Sequence, residues 1–459
     1  MGSRTPSATI SPRRNMRPHI SWSDLRGCTV GIYGLGREGE ANVRAALSRD
    51  LDPILVDDNP ARAEISGISI ISSCPDGINA LLRCDVVVKT PGISRYSDQI
   101  SLLERSGVAV VGGVGLWLQE ADLSKVLCVT GTKGKSTTAA ITGHLLARLG
   151  YRCLVGGNFG LPPHDTYAEG DYDYWVIEIS SYQATDLACS PPVGVVTSLH
   201  ADHLPWHRGD PETYFRDKLS ATSQQGSKLT IANGDSDLLR ARGHLLADSV
   251  RWVYADDDPT GSWMGELNLL GAHNRRNALI ARASLEAIGV PEAHDDDLMR
   301  SAAKNFRSLP SRLNVVGSVG AVTFVDDSLS TNVLPTVAAV EVFPGRRVAL
   351  IVGGQSRGID YHPLGTALRS RVVDLMLLTV PDNGPDIRRQ VEDAGLGDHV
   401  ETVDAANLAE AVQRGYQWAR PDGIVLLSPA APSFGRFRDY HERAAVFTAV
   451  METCRDLGG

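Results

Sequence analysis

The stretch Val126-Leu127-Cys128-Val129-Thr130 followed by Gly131-Thr132-Lys133-Gly134-Lys135-Ser136-Thr137 constrains this chain more than any other part of it. The apolar run reads as a buried strand, and the residues from Lys135 to about Leu149 read as a helix. Strand, glycine loop and helix in that order demand an α/β fold with a parallel sheet. The glycines let backbone N–H groups turn toward an anion, and the helix N-terminus adds a favourable dipole. Lys135 is placed to reach terminal phosphates as a point charge, and Ser136 or Thr137 to offer a hydroxyl to magnesium, which prefers hard oxygen ligands. The common form of such loops, G-x-x-x-x-G-K-[ST], would need glycine where Val129 stands, so this loop is a shortened variant. A plain surface turn would not need the strand before it and the helix after it.

Three blocks of alternating strands and helices emerge. In the first, Cys28–Tyr33 reads as a strand entering Gly34-Leu35-Gly36-Arg37-Glu38-Gly39, with a helix to about Arg49. Ile54–Asp57 is a second strand ending in an acid, and Asp85–Lys89 a third, ending at Thr90-Pro91-Gly92. The spacing of the glycines and Asp57 mimics a dinucleotide fingerprint, which alone would suggest NAD but is weak evidence by itself. The second block adds strands at Tyr174–Glu178 and Gly194–Ser198 and an Ala-rich helix after Gly271. The third begins near Leu309, with strands expected at Val322–Val325, Arg347–Val352, Leu375–Thr379 and Gly423–Leu427. A chain of 459 residues with this pattern forms several cores rather than one.

Composition narrows the class. The chain is 42% hydrophobic and 22% charged with a net charge of -9. That balance is ordinary for a globular protein and argues against a nucleic-acid partner, which would want a basic face. Seven cysteines in an odd count and without C-x-x-C spacing fit free thiols in a reducing cytoplasm. Arg13 and Arg14 are followed by no apolar segment, so residues 1–20 read as a disordered tail rather than a signal. No run approaches the roughly 18 apolar residues of a membrane helix, so neither a membrane partner nor a membrane location is expected.

The loop does not stand alone. Gly156-Gly157-Asn158-Phe159-Gly160, Glu178-Ile179-Ser180-Ser181, Ala201-Asp202-His203, Lys218, His273-Asn274 with Asn277, Arg312, Asp327-Ser328 and Ser428-Pro429-Ala430 follow it in order. Together with Thr130–Thr137 this set resembles the Mur ligase family, over nearly the whole chain after residue 22. The resemblance implies an α/β protein of three domains. These are a Rossmann-like UDP-binding domain over residues 21–114, a central ATPase domain over 115–308 with a mostly parallel sheet, and a Rossmann-like glutamate-binding domain over 309–459. It implies an ATP-dependent, ADP-forming amide ligase of peptidoglycan synthesis that works through an acyl phosphate. The short first domain with Gly34-Leu35-Gly36 and Thr90-Pro91-Gly92 resembles the branch that adds glutamate to UDP-N-acetylmuramoyl-L-alanine. Leu329, Arg357 and the stretch Ser428–Gly435 resemble the form that takes L-glutamate.

Roles follow from the same resemblance and from chemistry. ATP is expected on Gly131–Thr137, Asn274, Asn277, Arg312 and Asp327, the two asparagines offering amides to adenine. Magnesium is expected on Ser136, Glu178, His203 and Lys218, the last carbamylated so that its amine becomes carboxylate-like, with Asp202 orienting His203. Lys135, His203 and Lys218 are the expected catalytic residues. Three histidines, His200, His203 and His207, could instead suggest zinc. The UDP substrate is expected on Gly34, Gly36, Arg37, Asp57, Thr90, Pro91, Gly92 and Asn158. Glutamate is expected on Thr331, Arg357, Ser433 and Tyr440, where the planar fork of Arg357 suits a carboxylate. The protein is expected to act as a monomer whose domains close on substrate. The rival readings are the same ligation with D-glutamate, a folylpolyglutamate-synthetase-like ligase, and an inactive nucleotide-binding regulator.

Overall fold

The computed structural model describes residues 17–258 and 263–455. Its eighteen named strands form three six-stranded sheets. The first contains β1 (Val30–Tyr33), β2 (Ile54–Asp57), β3 (Glu64–Ile65), β4 (Ile68–Ser72), β5 (Val86–Lys89) and β6 (Ala109–Gly112), in the order β3-β4-β2-β1-β5-β6. Only the β3–β4 pair is antiparallel. β1 lies between β2 and β5, so the winding reverses beside it and the loops after β1 and β5 flank a crevice, where α/β sheets bind ligands.

The second sheet is parallel throughout, with β7 (Val126–Thr130), β8 (Cys153–Gly157), β9 (Tyr174–Glu178), β10 (Val193–Val196), β11 (Leu229–Asn233) and β12 (Ser249–Val253) in the order β12-β11-β10-β7-β9-β8. All five residues of β7 are buried, because helices cover both faces of such a sheet. The third sheet contains β13 (Asn314–Val319), β14 (Val322–Asp326), β15 (Val348–Val352), β16 (Leu375–Thr379), β17 (Val400–Asp404) and β18 (Ile424–Leu427), in the order β13-β14-β18-β15-β16-β17. Here β13 is an antiparallel edge on β14.

The expected α/β class holds, and the strands read from buried apolar runs appear within a residue or two of their expected bounds. The strands not expected from the sequence include β6 and β11, which are mostly buried, together with strands that lack such runs. β4, β13 and β17 are half-exposed edge or near-edge strands, and β8 ends in the glycines of the Asn158 loop.

The chain divides into two compact units. One runs through Trp263 and includes Arg276–Lys304, and it carries the first two sheets. The other comprises Met264–Arg275 and the chain from Asn305 onward. The expected boundary between 114 and 115 falls inside the fully buried helix Gly113–Leu118, which is why the first two sheets cohere. Buried ion pairs join them as well. Asp186 meets Lys89 Nζ at 2.5 Å and Arg95 Nη1 at 2.7 Å. Breaking such a pair strands a charge and costs about 3–5 kcal/mol.

Of the tail expected over 1–20, residues 1–16 lie outside the described residues. From Arg17 the chain is already engaged: Arg17 Nε donates to Thr185 O at 2.8 Å, and Ile20 packs on the first core beside buried Trp22. All seven cysteines are free thiols. Among the described residues no helix is long and apolar enough to cross a membrane.

Candidate active site

β7 delivers the glycine loop to the C-terminal edge of the second sheet, and the helix Lys135–Arg148 leads away from it. Gly134 is the N-cap with φ +88°, and Gly131 has φ +136°, conformations that side chains rarely adopt. A Cβ on Gly131 would run into Thr197, and one on Gly134 would stand 2.7 Å from Asn277 Oδ1. The loop is braced from the residues after β10. Thr132 N donates to Ser198 O at 2.9 Å, Lys133 N to Ser198 Oγ at 2.8 Å, and Thr197 Oγ1 to Lys133 O at 2.6 Å. Lys135 Nζ reaches Thr132 O at 3.3 Å and so stays over the loop.

Around the loop the expected metal residues gather, though not equally. Ser136 Oγ donates to Glu178 Oε2 at 2.5 Å, and both residues are buried. The other oxygen, Oε1, accepts Asn158 Nδ2 at 2.6 Å. Lys218, on the helix Pro211–Leu219, is buried and donates from Nζ to Gly131 O at 3.1 Å. Burial, reinforced by the neighbouring charge of Lys135, holds its amine well below the ordinary lysine value. Asp202, Lys133 and Glu178 also bear on that amine.

His203 is about half exposed, with φ +51°, and its Nε2 lies 3.8 Å from Asp202 Oδ2. The three histidines that could suggest zinc take separate surroundings, with His207 bonded to Ser181 and Asp217 and His200 N bonded to Thr132 Oγ1. Among the described residues no group of three or more His, Cys, Asp or Glu is placed to hold a metal.

The glycine loop of the first sheet is built differently. Gly34 has φ +88° and its Cα faces Thr90, so a side chain there would collide with the Thr90 hydroxyl. Asp57 is engaged within the loop: Oδ2 accepts Leu35 N at 2.6 Å and Oδ1 accepts Asn59 N at 2.8 Å. Arg37 Nη2 donates to Asn158 O at 2.6 Å. A continuous chain therefore runs from Arg37 through Asn158 and Glu178 to Ser136, linking the two glycine loops. Thr90 is buried, and Pro91 and Gly92 follow it at the end of β5.

In the second unit Thr331, Arg357 and Ser433 lie on the loops after β14, β15 and β18, three adjacent parallel strands. Ser433 is buried, Arg357 is exposed, and Tyr440 is the first residue of the helix Tyr440–Thr453. Arg443, from that helix, donates to Ala431 O at 3.2 Å and Ser328 O at 2.7 Å and so ties two of these loops together. Asp327 accepts Ser428 Oγ at 2.7 Å and Leu313 N at 3.1 Å, and burial pushes its carboxyl up to about 7. Arg312 begins the approach to β13, and Asn274 donates to Leu270 O at 2.8 Å from within the helix Ala272–Ala287.

Sequence reasoning passed over the residues that brace rather than bind. Thr197 and Ser198 end an expected strand, and Tyr214 precedes Lys218 by one helical turn, with the Lys218 ammonium 5.1 Å from its ring centre. Tyr214 Oη lies 3.0 Å from Thr132 Oγ1. The i, i+4 spacing was visible, but nothing in it names the loop that the tyrosine touches.

Comparison with known proteins agrees with this geometry. Residues 129–264 match the Mur ligase middle domain, and residues 311–431 match the domain described as "Mur ligase, glutamate ligase domain". A UDP-N-acetylmuramoyl-L-alanine--L-glutamate ligase from a Micromonospora species is 37% identical, covering 95% of this chain and 98% of the relative. The protein of the same name from Xanthomonas euvesicatoria is 36% identical, covering 93% and 96%. Among solved structures, the MurF ligase from Thermotoga maritima in complex with ADP shares the fold with a TM-score of 0.57 at 13% identity, covering 95% of this chain and 98% of that one. The UDP-N-acetylmuramate-alanine ligase MurC from the same organism gives 0.53 at 18% identity, covering 93% and 100%.

Proposed function

The chain belongs to the Mur ligase family, and from that premise we propose that it joins L-glutamate to UDP-N-acetylmuramoyl-L-alanine in peptidoglycan synthesis, with ATP as the energy source. The observation that carries the ligase chemistry is the grouping of Ser136, Glu178 and Lys218 around a braced phosphate loop. The choice of L-glutamate rests on relatives of that printed name matched over nearly the full length of both chains.

A carboxylate does not condense with an amine in water without activation. The L-alanyl carboxylate oxygen attacks the γ-phosphorus of ATP, the bond to the β-phosphate oxygen breaks, and ADP leaves. The glutamate amine then attacks the acyl carbon, the C–O bond to phosphate breaks, and the nitrogen gives up its proton. Crowded anions must be neutralised and the carboxylate aligned. The backbone of Gly131–Thr137 and the helix that follows would hold the phosphates, Lys135 would supply positive charge over them, and Asn277 lies beside the loop for adenine. Arg312, Asp327 and Asn274 are the further residues we assign to ATP.

The residues fit magnesium. A buried serine hydroxyl meeting a buried carboxylate is a hard-oxygen pair, and His203 with an oxygen-bearing Lys218 would extend it. Bound there, the ion would neutralise phosphate charge. A carbamylated Lys218 fits its surroundings, since only a neutral amine adds carbon dioxide and burial favours the neutral form. The diphosphate of the acceptor would lie on Gly34, Gly36 and Gly39 with Arg37, and its muramoyl part near Asn158, with Thr90, Pro91 and Gly92 lining the crevice. Asp57 would act by holding that loop. Thr331, Arg357, Ser433 and Tyr440 would take glutamate.

Phosphate release with UDP-N-acetylmuramoyl-L-alanine and each enantiomer of glutamate tests the proposal. Turnover with the L-form is expected, and turnover with the D-form alone overturns the choice of amino acid.

A further inference from the structure

Beneath the loop that carries His203 lies a chain of side chains to which phosphate transfer assigns no part. Ser181 Oγ lies 3.1 Å from His207 Nε2, and His207 Nδ1 lies 2.7 Å from Asp217 Oδ2. The Tyr96 hydroxyl lies 2.8 Å from each Asp217 oxygen. His207 is fully buried and Ser181 is 2% exposed. A hydroxyl, an imidazole and a carboxylate in this order have the connectivity of a nucleophile triad. A serine sealed from solvent and substrate has nothing to attack, so the chain serves position instead.

The Asp217 carboxylate can only accept, so it takes a hydrogen bond from Nδ1–H, while Nε2 meets the Ser181 hydroxyl. Each member belongs to a different segment of the first unit. Ser181 stands three residues past Glu178, at the start of the helix Ser181–Ala184. His207 closes the turn Leu204–His207, whose N-cap is His203. Asp217 immediately precedes Lys218. Tyr96 lies on the stretch after Thr90-Pro91-Gly92, where Ser94 Oγ also donates to Trp206 O at 3.0 Å.

Rings fill the space between these bonds. Tyr182 stacks on Trp206 with centroids 4.5 Å apart, Trp206 lies 4.7 Å from His207, and Tyr214 meets His207 edge-on at 5.1 Å. His203 itself is half exposed, with Asp202 and the edge of Tyr182 beside its ring. Its placement therefore depends on the turn beneath it, and the two hydrogen bonds of His207 anchor that turn.

We propose that His207 is a positioning residue. By bonding Ser181 and Asp217 at once, it sets the spacing of Glu178, His203 and Lys218, and Tyr96 extends that restraint to the loop after β5. The inference rests on the reading of those three residues as the metal-holding set. Groups that orient ligands in this indirect way change metal affinity about 10–100-fold when removed.

Mn2+ titrated into the full chain with saturating ADP, followed by electron paramagnetic resonance, tests it. Wild type and Glu178→Gln come first. Binding that Glu178→Gln weakens supports the metal set, whereas no binding by wild type, or equal binding by both, overturns that set and the inference with it. With the set upheld, His207→Phe keeps the ring packing and removes both hydrogen bonds. It is expected to weaken Mn2+ about tenfold and to lower kcat while leaving KM for ATP within about twofold, a split that general loosening of the fold would not produce. His207→Asn restores a donor to Asp217 and is expected to recover part of the affinity. Tyr96→Phe is expected to cost about threefold, the worth of one ordinary hydrogen bond. Mn2+ bound by His207→Phe as tightly as by wild type overturns the proposal. If circular dichroism shows His207→Phe unfolded, Ser181→Ala and Tyr96→Phe decide it, and unchanged affinity in both overturns it.

Discussion

Two glycine loops open two helices in the same compact unit, and they treat the helix N-terminus in opposite ways. After Gly134 the first turn carries no acid and begins with Lys135, Ser136 and Thr137. After Gly36 the first turn carries Glu38 and Glu40 beside Arg37. At the second loop the main chain is braced by Thr197 and Ser198, which leaves the lysine over the loop. At the first loop the Asp57 carboxylate already holds Leu35 N, and burial, against the donated bond from Gln183, pushes the Glu38 carboxyl up to about 7. The helix dipole is similar at both. On the proposed assignment, the first-turn side chains would make the Gly134 loop a strong phosphate site by itself and leave the Gly36 loop dependent on Arg37.

The largest expected effect falls on the second loop. Lys135→Ala should lower ATP-dependent phosphate release by about 10³-fold or more, with circular dichroism unchanged. Near-normal turnover in that variant would end the loop's claim to the chemistry. Lys218→Met keeps an unbranched side chain of similar length but can carry no carbamate, and kcat should fall on the order of 100-fold. A 13C carbamate resonance in wild type supplied with labelled bicarbonate, missing from this variant, is the direct check.

The comparison predicts a different pattern for the first loop. Arg37→Ala should raise KM for the UDP-linked substrate about tenfold, the worth of a charge-assisted hydrogen bond, while KM for ATP changes little. An equal rise in both constants would mean that the chain through Asn158 and Glu178 makes the two loops one site.

The smallest effect concerns Glu38. Its folded-state value is raised above the ordinary 4.5, so the folded state binds this proton more tightly than the unfolded chain does. Ionisation therefore destabilises the fold: the penalty is absent below about pH 4.5, grows through the window up to about 7 and is complete above it. Glu38→Gln should raise Tm by a few degrees, about 2–4 °C per kcal/mol, at pH 8 and by little at pH 5. A difference in Tm that stays flat across that range removes Glu38 from the account of the first loop.

How legible the site was depends on what kind of interaction each residue makes. Lys135, Ser136 and Glu178 were expected in the site because phosphate and magnesium chemistry favours those residue types at the ends of β7 and β9. Asp57 was also visible as an acid ending a strand, but its engagement with Leu35 N depends on where the loop after β1 returns. Bracing residues such as Ser198, Tyr96 and Asp217 left no pattern, because a serine, tyrosine or aspartate bonding across tens of residues follows no short-range rule. The strands β4, β13 and β17 escaped for a related reason: an edge strand buries too little to show an apolar run.

By itself the sequence determined the α/β class, the phosphate loop and the order of the ligase motifs, since each rests on local periodicity or on residue types within a few positions. Only the tertiary structure decided that the first two sheets form one unit, because the pairs Lys89–Asp186 and Arg95–Asp186 close over a separation in sequence of about ninety residues. It also decided that His207 faces inward to Ser181 and Asp217 while His203, four residues earlier, stays half exposed beside Asp202. Burial and hydrogen-bond partners separate those two histidines, and both are properties of what the chain packs against rather than of the chain alone.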